Sequence, residues 1–174
     1  MKKLNILILF LIHLSLLNAL NLEDLSYLKH QKIAGSFTQI KKIQGFEKEL
    51  VSSGDFKLEN KSLFYHIKSP INQQLKMDES GVFVLENNDW IKQSKDYDKS
   101  LFLDIIELDF DKLQKSFKIT LKGDKNAWSA ELEPLNLVLQ KIFTKIEIYG
   151  SKRVEKVILI EKNGDITQNI FSEI

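Results

Sequence analysis

Apolar and polar residues alternate in short stretches along most of the chain, the period-two pattern of half-buried antiparallel strands. Phe117 to Lys122 is the cleanest: Phe117, Ile119 and Leu121 share one face, Lys118, Thr120 and Lys122 the other. Ala127–Leu132 follows, with Trp128, Ala130 and Leu132 on one side and Gly123-Asp124-Lys125-Asn126 as the hairpin turn before it. Ile142, Thr144, Ile146 and Ile148 then alternate with Phe143, Lys145, Glu147 and Tyr149. Val154–Lys162 and Ile166–Ile174 flank Asn163-Gly164-Asp165, a strong hairpin signal. The N-terminal half yields Ile33–Lys42, Phe46–Ser52, Asp55–Glu59, Leu63–Ser69, Gln74–Met77, Val82–Leu85 and Trp90–Gln93. Ser53-Gly54, Glu59-Asn60-Lys61, Asp78-Glu79-Ser80-Gly81 and Asn87-Asn88-Asp89 separate them, and Pro70 sits between two strands, where its missing N–H does no harm.

Helical spacing occurs in three places. Leu22–Lys32 puts Leu22, Leu25 and Leu28 on one stripe, and Lys99–Ile106 carries Leu101, Phe102, Ile105 and Ile106, with Phe110, Leu113 and Phe117 extending a second short stripe. Leu135–Lys141, after Pro134, reads as a turn of helix or a loop. About eleven strands with three helices predict a mostly β (α+β) domain. A single antiparallel sheet that long does not stay flat and should curl into an incomplete barrel with helices over its concave face.

The first residues follow a different rule. Lys2 and Lys3 precede an apolar run, Leu4–Leu17, interrupted by Asn5, His13 and Ser15, and Ala19 supplies a small residue before Glu23 and Asp24. The run is too short for a membrane span, which needs about 20 apolar residues, and fits the roughly 7–15 of a secretory signal peptide. The expectation is therefore a signal peptide over 1–19 and one exported domain over 20–174. Without Lys2 and Lys3, 23 basic side chains face 24 acidic ones, so the mature charge is near zero and gives no global attraction for nucleic acid. There are no cysteines, which excludes disulfides, thiol nucleophiles and the acylated cysteine that anchors a lipoprotein.

Catalytic chemistry finds little footing. His30 and His66 are isolated, whereas zinc or nucleophile chemistry needs several such groups converging. Asp104, Glu107, Asp109 and Asp111 lack the spacing of a calcium loop and read as the polar side of a helix. Ser52-Ser53-Gly54-Asp55 lacks the frame of a nucleophile elbow. Lys41-Lys42 and Lys152-Arg153 are small basic pairs at strand ends, suited to solubility or to steering an acidic partner. What is abundant is large apolar surface on strands, with Phe37, Phe46, Phe56, Phe64, Phe83, Phe117, Phe143, Phe171, Trp90 and Trp128. Either it is an ordinary core, or it exceeds what the helices can cover and leaves a cavity for an acyl chain. Composition leaves both open.

An ordered series of motifs resembles the periplasmic lipoprotein carriers of the LolA type. Gly35-Ser36-Phe37-Thr38-Gln39 resembles their opening strand, Ser53-Gly54-Asp55-Phe56-Lys57-Leu58 the second-hairpin segment, and Leu63-Phe64-Tyr65 with Pro70 the next strand. Gly81-Val82-Phe83-Val84-Leu85 with Trp90, then Trp128 through Leu132-Glu133-Pro134 and Asn163-Gly164-Asp165, are similar in the same order. The resemblance implies an incomplete barrel around a hydrophobic cavity. It also implies a non-enzymatic, monomeric carrier without cofactor or metal, which takes lipoprotein acyl chains from an inner-membrane ABC transporter complex to an outer-membrane receptor. On that reading the pocket is lined by Phe37, Phe56, Leu58, Phe64, Leu75, Met77, Phe83, Leu85, Trp90, Phe102, Ile105, Ile106, Ile119 and Trp128. The helix from about Lys99 is its lid. One departure stands out: where the carriers have a lid-holding arginine before the Leu-Phe strand, this chain has Asn60-Lys61-Ser62, leaving Asn60 and Lys61 as the matching positions. A divergent branch carrying another lipid, or an envelope-stress lipid sensor, is the alternative.

Overall fold

The structure, a computed structural model, describes residues 20–29, 33–93 and 99–173. The expected signal peptide (Met1–Ala19) and His30 lie outside the described residues. Eleven strands form one sheet in the order β6-β5-β4-β3-β2-β1-β11-β10-β9-β8-β7, every neighbouring pair antiparallel. They are β1 (Ile33–Lys42), β2 (Leu50–Glu59), β3 (Ser62–Ser69), β4 (Gln73–Asp78), β5 (Gly81–Glu86), β6 (Asp89–Lys92), β7 (Phe117–Asp124), β8 (Ala127–Pro134), β9 (Phe143–Gly150), β10 (Val154–Glu161) and β11 (Ile166–Glu173). The first and last strands meet in the middle of the sheet, and β6 and β7, consecutive in the chain, are its two free edges. The sheet is thus an incomplete barrel, as the alternation predicted. No helix among the described residues is long and apolar enough to cross a membrane.

Several boundaries differ from the sequence reading: β2 starts at Leu50 rather than Phe46, and Gly123 and Asp124 belong to β7 rather than to the turn after it. Ser53-Gly54 is not a turn: both residues lie inside β2, at a register shift against β3. That shift merges two expected strands into one and brings the total to eleven. The expected helix over Leu22–Lys32 is a short 3-10 turn, Glu23–Leu28, that buries Leu25 and Leu28. Leu135–Lys141 resolves into a helix, α3 (Leu137–Ile142), whose N-cap Asn136 accepts from the Leu139 amide at 2.9 Å. The other helices are α1 (Lys99–Ile106) and α2 (Phe110–Leu113), both within the link from β6 to β7. Asn163-Gly164-Asp165 forms the expected β10–β11 turn, with Gly164 at φ +91°.

The curl begins at β1 and β2. Their inner faces pair crosswise, Gly35 opposite Phe56 and Gly54 opposite Phe37, so each glycine leaves room beside the ring on the other strand. A Cβ on Gly54 would stand 1.9 Å from the His66 carbonyl oxygen, and one on Gly35 2.1 Å from that of Ser172. Both obstacles are backbone and cannot rotate away. Gly54→Ala is therefore expected to destabilise the fold by at least 1–3 kcal/mol, read as a lower urea midpoint, whereas Gly45→Ala, with nothing within 4 Å of its Cβ but φ at +83°, carries only a turn penalty.

Candidate functional site

Because strand side chains alternate, the register assigns every residue to one face of the sheet. The inner face follows Leu58–Leu63–Met77 and Phe56–Tyr65–Leu75 across β2, β3 and β4. On the other side of the seam it runs through Phe171, Val157, Ile148, Ala130, Ile146, Leu132 and Ile119. Of the residues expected to line a pocket, Phe37, Phe56, Leu58, Leu75, Met77, Ile119 and Trp128 fall on this face, and Phe102, Ile105 and Ile106 are on the helix that covers it.

Four expected positions require correction. Phe64 alternates with Leu63 and Tyr65 and pairs with Lys57 and Lys76; Phe83 pairs with Lys76 and Lys92; Leu85 pairs with Trp90. All four therefore share the outer face with these lysines. There Phe64 and Trp90 make an edge contact at 6.4 Å and Lys76 Nζ lies 5.5 Å from the Phe83 ring centre. The inner positions in their place are Leu63, Tyr65 and Val84. Lys68 shares the Phe64 face with His66, and Lys76 faces Phe83; the two lysines are the signal in the sequence that marks the outer side.

Asn60 and Lys61 also serve a different purpose. They are the tip of the β2–β3 hairpin, exposed, with φ of 51° and 58°. Consecutive left-handed residues make a tight hairpin turn, a role asparagine tolerates well. Lys61 pairs with Glu79 on the neighbouring turn at 3.5 Å. Trp128 is inward but is a structural plug: its Nε1 donates to the Ser151 carbonyl at 2.8 Å, and its ring occupies the space a Cβ on Gly150 would need.

The centre of the inner face is aromatic. Phe37 meets Tyr65 edge-on at 4.7 Å, Phe56 meets Phe171 at 5.1 Å, and Tyr65 is tilted against both Phe56 and Phe102 at 6.4 Å. Phe102 is the point at which α1 touches this floor. Beside it, Leu101, Phe102, Ile105, Ile142, Phe143, Ile146 and Leu159 enclose an apolar pocket of about 100 Å³. A larger groove of about 780 Å³ lies between the N-terminal 3-10 turn, α2 and edge strand β7, lined by both apolar and charged groups. In this closed arrangement α1 and α2 themselves fill most of the concavity: Leu101, Leu103, Ile105, Ile106, Leu108, Phe110 and Leu113 are all buried.

Asp109 fixes α2. Leu108 at φ +51° ends α1, with the Asp109 amide donating to the Asp104 carbonyl at 2.8 Å, and turns the chain into α2. The buried Asp109 carboxylate caps α2 through the Lys112 amide and pairs with Lys29 at 3.0 Å, tying the N-terminal turn to the helix. Lys29 also pairs with Asp111, and Lys112 with Asp104. Burial pushes the Asp109 carboxyl up, but the hydrogen bond and charge of Lys29, aided by Lys112, outweigh it and hold the group below its ordinary 3.8. On the opposite surface, Lys145 bridges Glu131 and Glu147 at 2.9 and 2.7 Å. No three metal-ligating side chains cluster among the described residues. His66 faces Asn72 at 2.9 Å on the outer side.

No protein-family model and no curated protein matches the chain. Solved structures similar to it in shape include the following two. One is a LolA superfamily protein from Nitrosomonas europaea: 10% identity, TM-score 0.48, covering 87% of this chain and 90% of that one. The other is a domain named for outer membrane lipoprotein sorting, from Vibrio parahaemolyticus: 10% identity, TM-score 0.37, covering 87% and 88%.

Removing the Asp109 charge tests the clasp. Asp109→Asn should cost about 1–3 kcal/mol at pH 7. The wild-type carboxyl titrates lower when folded than when unfolded. Its stabilisation is therefore complete well above pH 3.8 and is lost as pH falls through that value towards the folded pKa. Urea midpoints of the two proteins should accordingly converge in acid and separate again towards neutrality.

Proposed function

We propose that this protein is a non-enzymatic periplasmic carrier, released by its signal peptide as a monomer. It shelters the acyl chains of lipoproteins against the inner face of the sheet and passes them from an inner-membrane ABC transporter complex to an outer-membrane receptor. The observation that carries this reading is the way the concavity is filled. An open sheet presents an aromatic and aliphatic floor, and its cover is a short separate helix that meets it through apolar side chains with a pocket left beneath. An apolar contact of that kind can be exchanged for an apolar ligand at small net cost, because each methylene leaving water contributes about 0.8 kcal/mol whichever surface receives it.

The roughly 100 Å³ under α1 is about three water volumes, far less than one long acyl chain, so loading requires α1 to lift. The ionic clasp then has a clear purpose. Asp109 and Lys29 hold α2 and the N-terminal turn, while α1 rests on the floor through Phe102 and its apolar neighbours and is free to exchange. The ordered motifs from Gly35 to Asp165 support the same reading.

Mass spectrometry of the protein purified from its own periplasm is the direct test. Co-purifying acylated protein is expected; a free lipid would redirect the reading to a carrier of lipid itself, and the absence of any acyl-bearing ligand would overturn both. Phe102→Ala offers a second check. By weakening the cover it should raise the population able to bind, and hence the affinity for an apolar fluorescent probe, about three- to tenfold, while lowering the melting temperature. Unchanged or weaker probe binding would count against α1 as the cover.

A further inference from the structure

The floor contains a polar group that an ordinary core would not keep. Tyr65 is 8% exposed, and its hydroxyl is buried with no hydrogen-bond partner among the described residues. Its ring is surrounded by Phe37, Phe56 and Phe102. Burial pushes the phenol far above its usual range, so it stays protonated and remains a donor. A buried donor without an acceptor is destabilising, and phenylalanine would pack the same space without that cost. Asn169, 1% exposed on the same face, has a similar surplus: its Oδ1 accepts from Gln39 at 2.9 Å, but its Nδ2 has no partner among the described residues. The two lie on different strands, Asn169 at the polar end of the floor beside Gln39 and Thr167 and Tyr65 within the aromatic part. What both have in excess is N–H or O–H; what they lack is a carbonyl.

We propose that Tyr65 donates to the carbonyl oxygen of an acyl ester or amide, so that the floor selects acyl-linked lipids over hydrocarbon or ether-linked chains of equal length. This rests on the carrier reading and narrows its ligand class. When α1 lifts, a chain that takes the place of Phe102 brings its linkage against the aromatic cluster. An ester or amide then satisfies the hydroxyl and an ether, a poorer acceptor, leaves it wanting. Specificity arises as it does wherever a site holds a buried donor: the ligand lacking the acceptor leaves the donor unpaired.

The test compares dipalmitoyl phosphatidylglycerol with its di-O-hexadecyl ether by displacement of a fluorescent apolar probe, in wild type and Tyr65→Phe. Wild type should prefer the ester about five- to tenfold, the worth of one hydrogen bond. Tyr65→Phe should bind both lipids alike and melt, without ligand, at the same temperature or higher. An ester preference that survives the substitution overturns the proposal. So does a clearly lower melting temperature in Tyr65→Phe, which would mean that the hydroxyl serves the fold. Wild type binding both lipids equally would leave the carrier reading standing and refute the donor role. Wild type binding neither would refute the carrier reading itself.

Discussion

The structure depends on one connection. Strands β6 and β7 follow each other in the chain yet form opposite edges of an eleven-stranded sheet, so the link between them has to travel from one edge to the other. The short route lies across the concave face. That face is apolar, and a crossing chain segment must bury its own polar backbone, which short helices accomplish. Hence α1 and α2 lie where they do, and hence their apolar positions are nearly all buried. The filling of the concavity is a consequence of strand order rather than of any particular affinity between these helices and the sheet.

The two helices are held differently, and the difference matters to the proposed activity. α2 is fastened by charge: Asp109 is buried, caps the helix and pairs with Lys29. α1 meets the floor through carbon, with Phe102 against Tyr65 and Ile105 lining the same apolar pocket as Ile146 and Leu159. Charged pairs are directional and are lost when displaced, whereas apolar contacts are interchangeable among surfaces of similar shape. A helix held by the second kind of contact, hinged on a helix held by the first, has one end fixed and one end replaceable.

Much of this was legible in the sequence, for identifiable reasons. A strand such as β7 has charges and a hydroxyl on one side only, so its pattern sets both extent and face. β3 and β5 are harder because aromatic or aliphatic residues occupy both sides, and Phe64 and Phe83 look like core until Lys57, Lys76 and Lys92 are seen to share their face. Gly54 misleads in the other direction. Local rules read Ser-Gly as a turn, yet here glycine sits inside a strand because the His66 carbonyl and the Ile67 backbone crowd it, a tertiary fact with no local trace. The importance of Tyr65 was hidden for the same reason: only the assembled floor shows that its hydroxyl has no acceptor among the described residues.

The meeting of the first and last strands has a consequence in time. Gln39 bonds Asn169 across 130 residues of chain, and the β1–β11 seam joins what are otherwise two locally wound halves, β1–β6 and β7–β11. Each half consists of hairpins that can form early from nearby residues. The seam has the longest loop to close and should form late, and folding rates fall as such distant pairings accumulate. The sheet therefore cannot be completed until β11 is available to pair with β1, and until then the two halves remain unjoined.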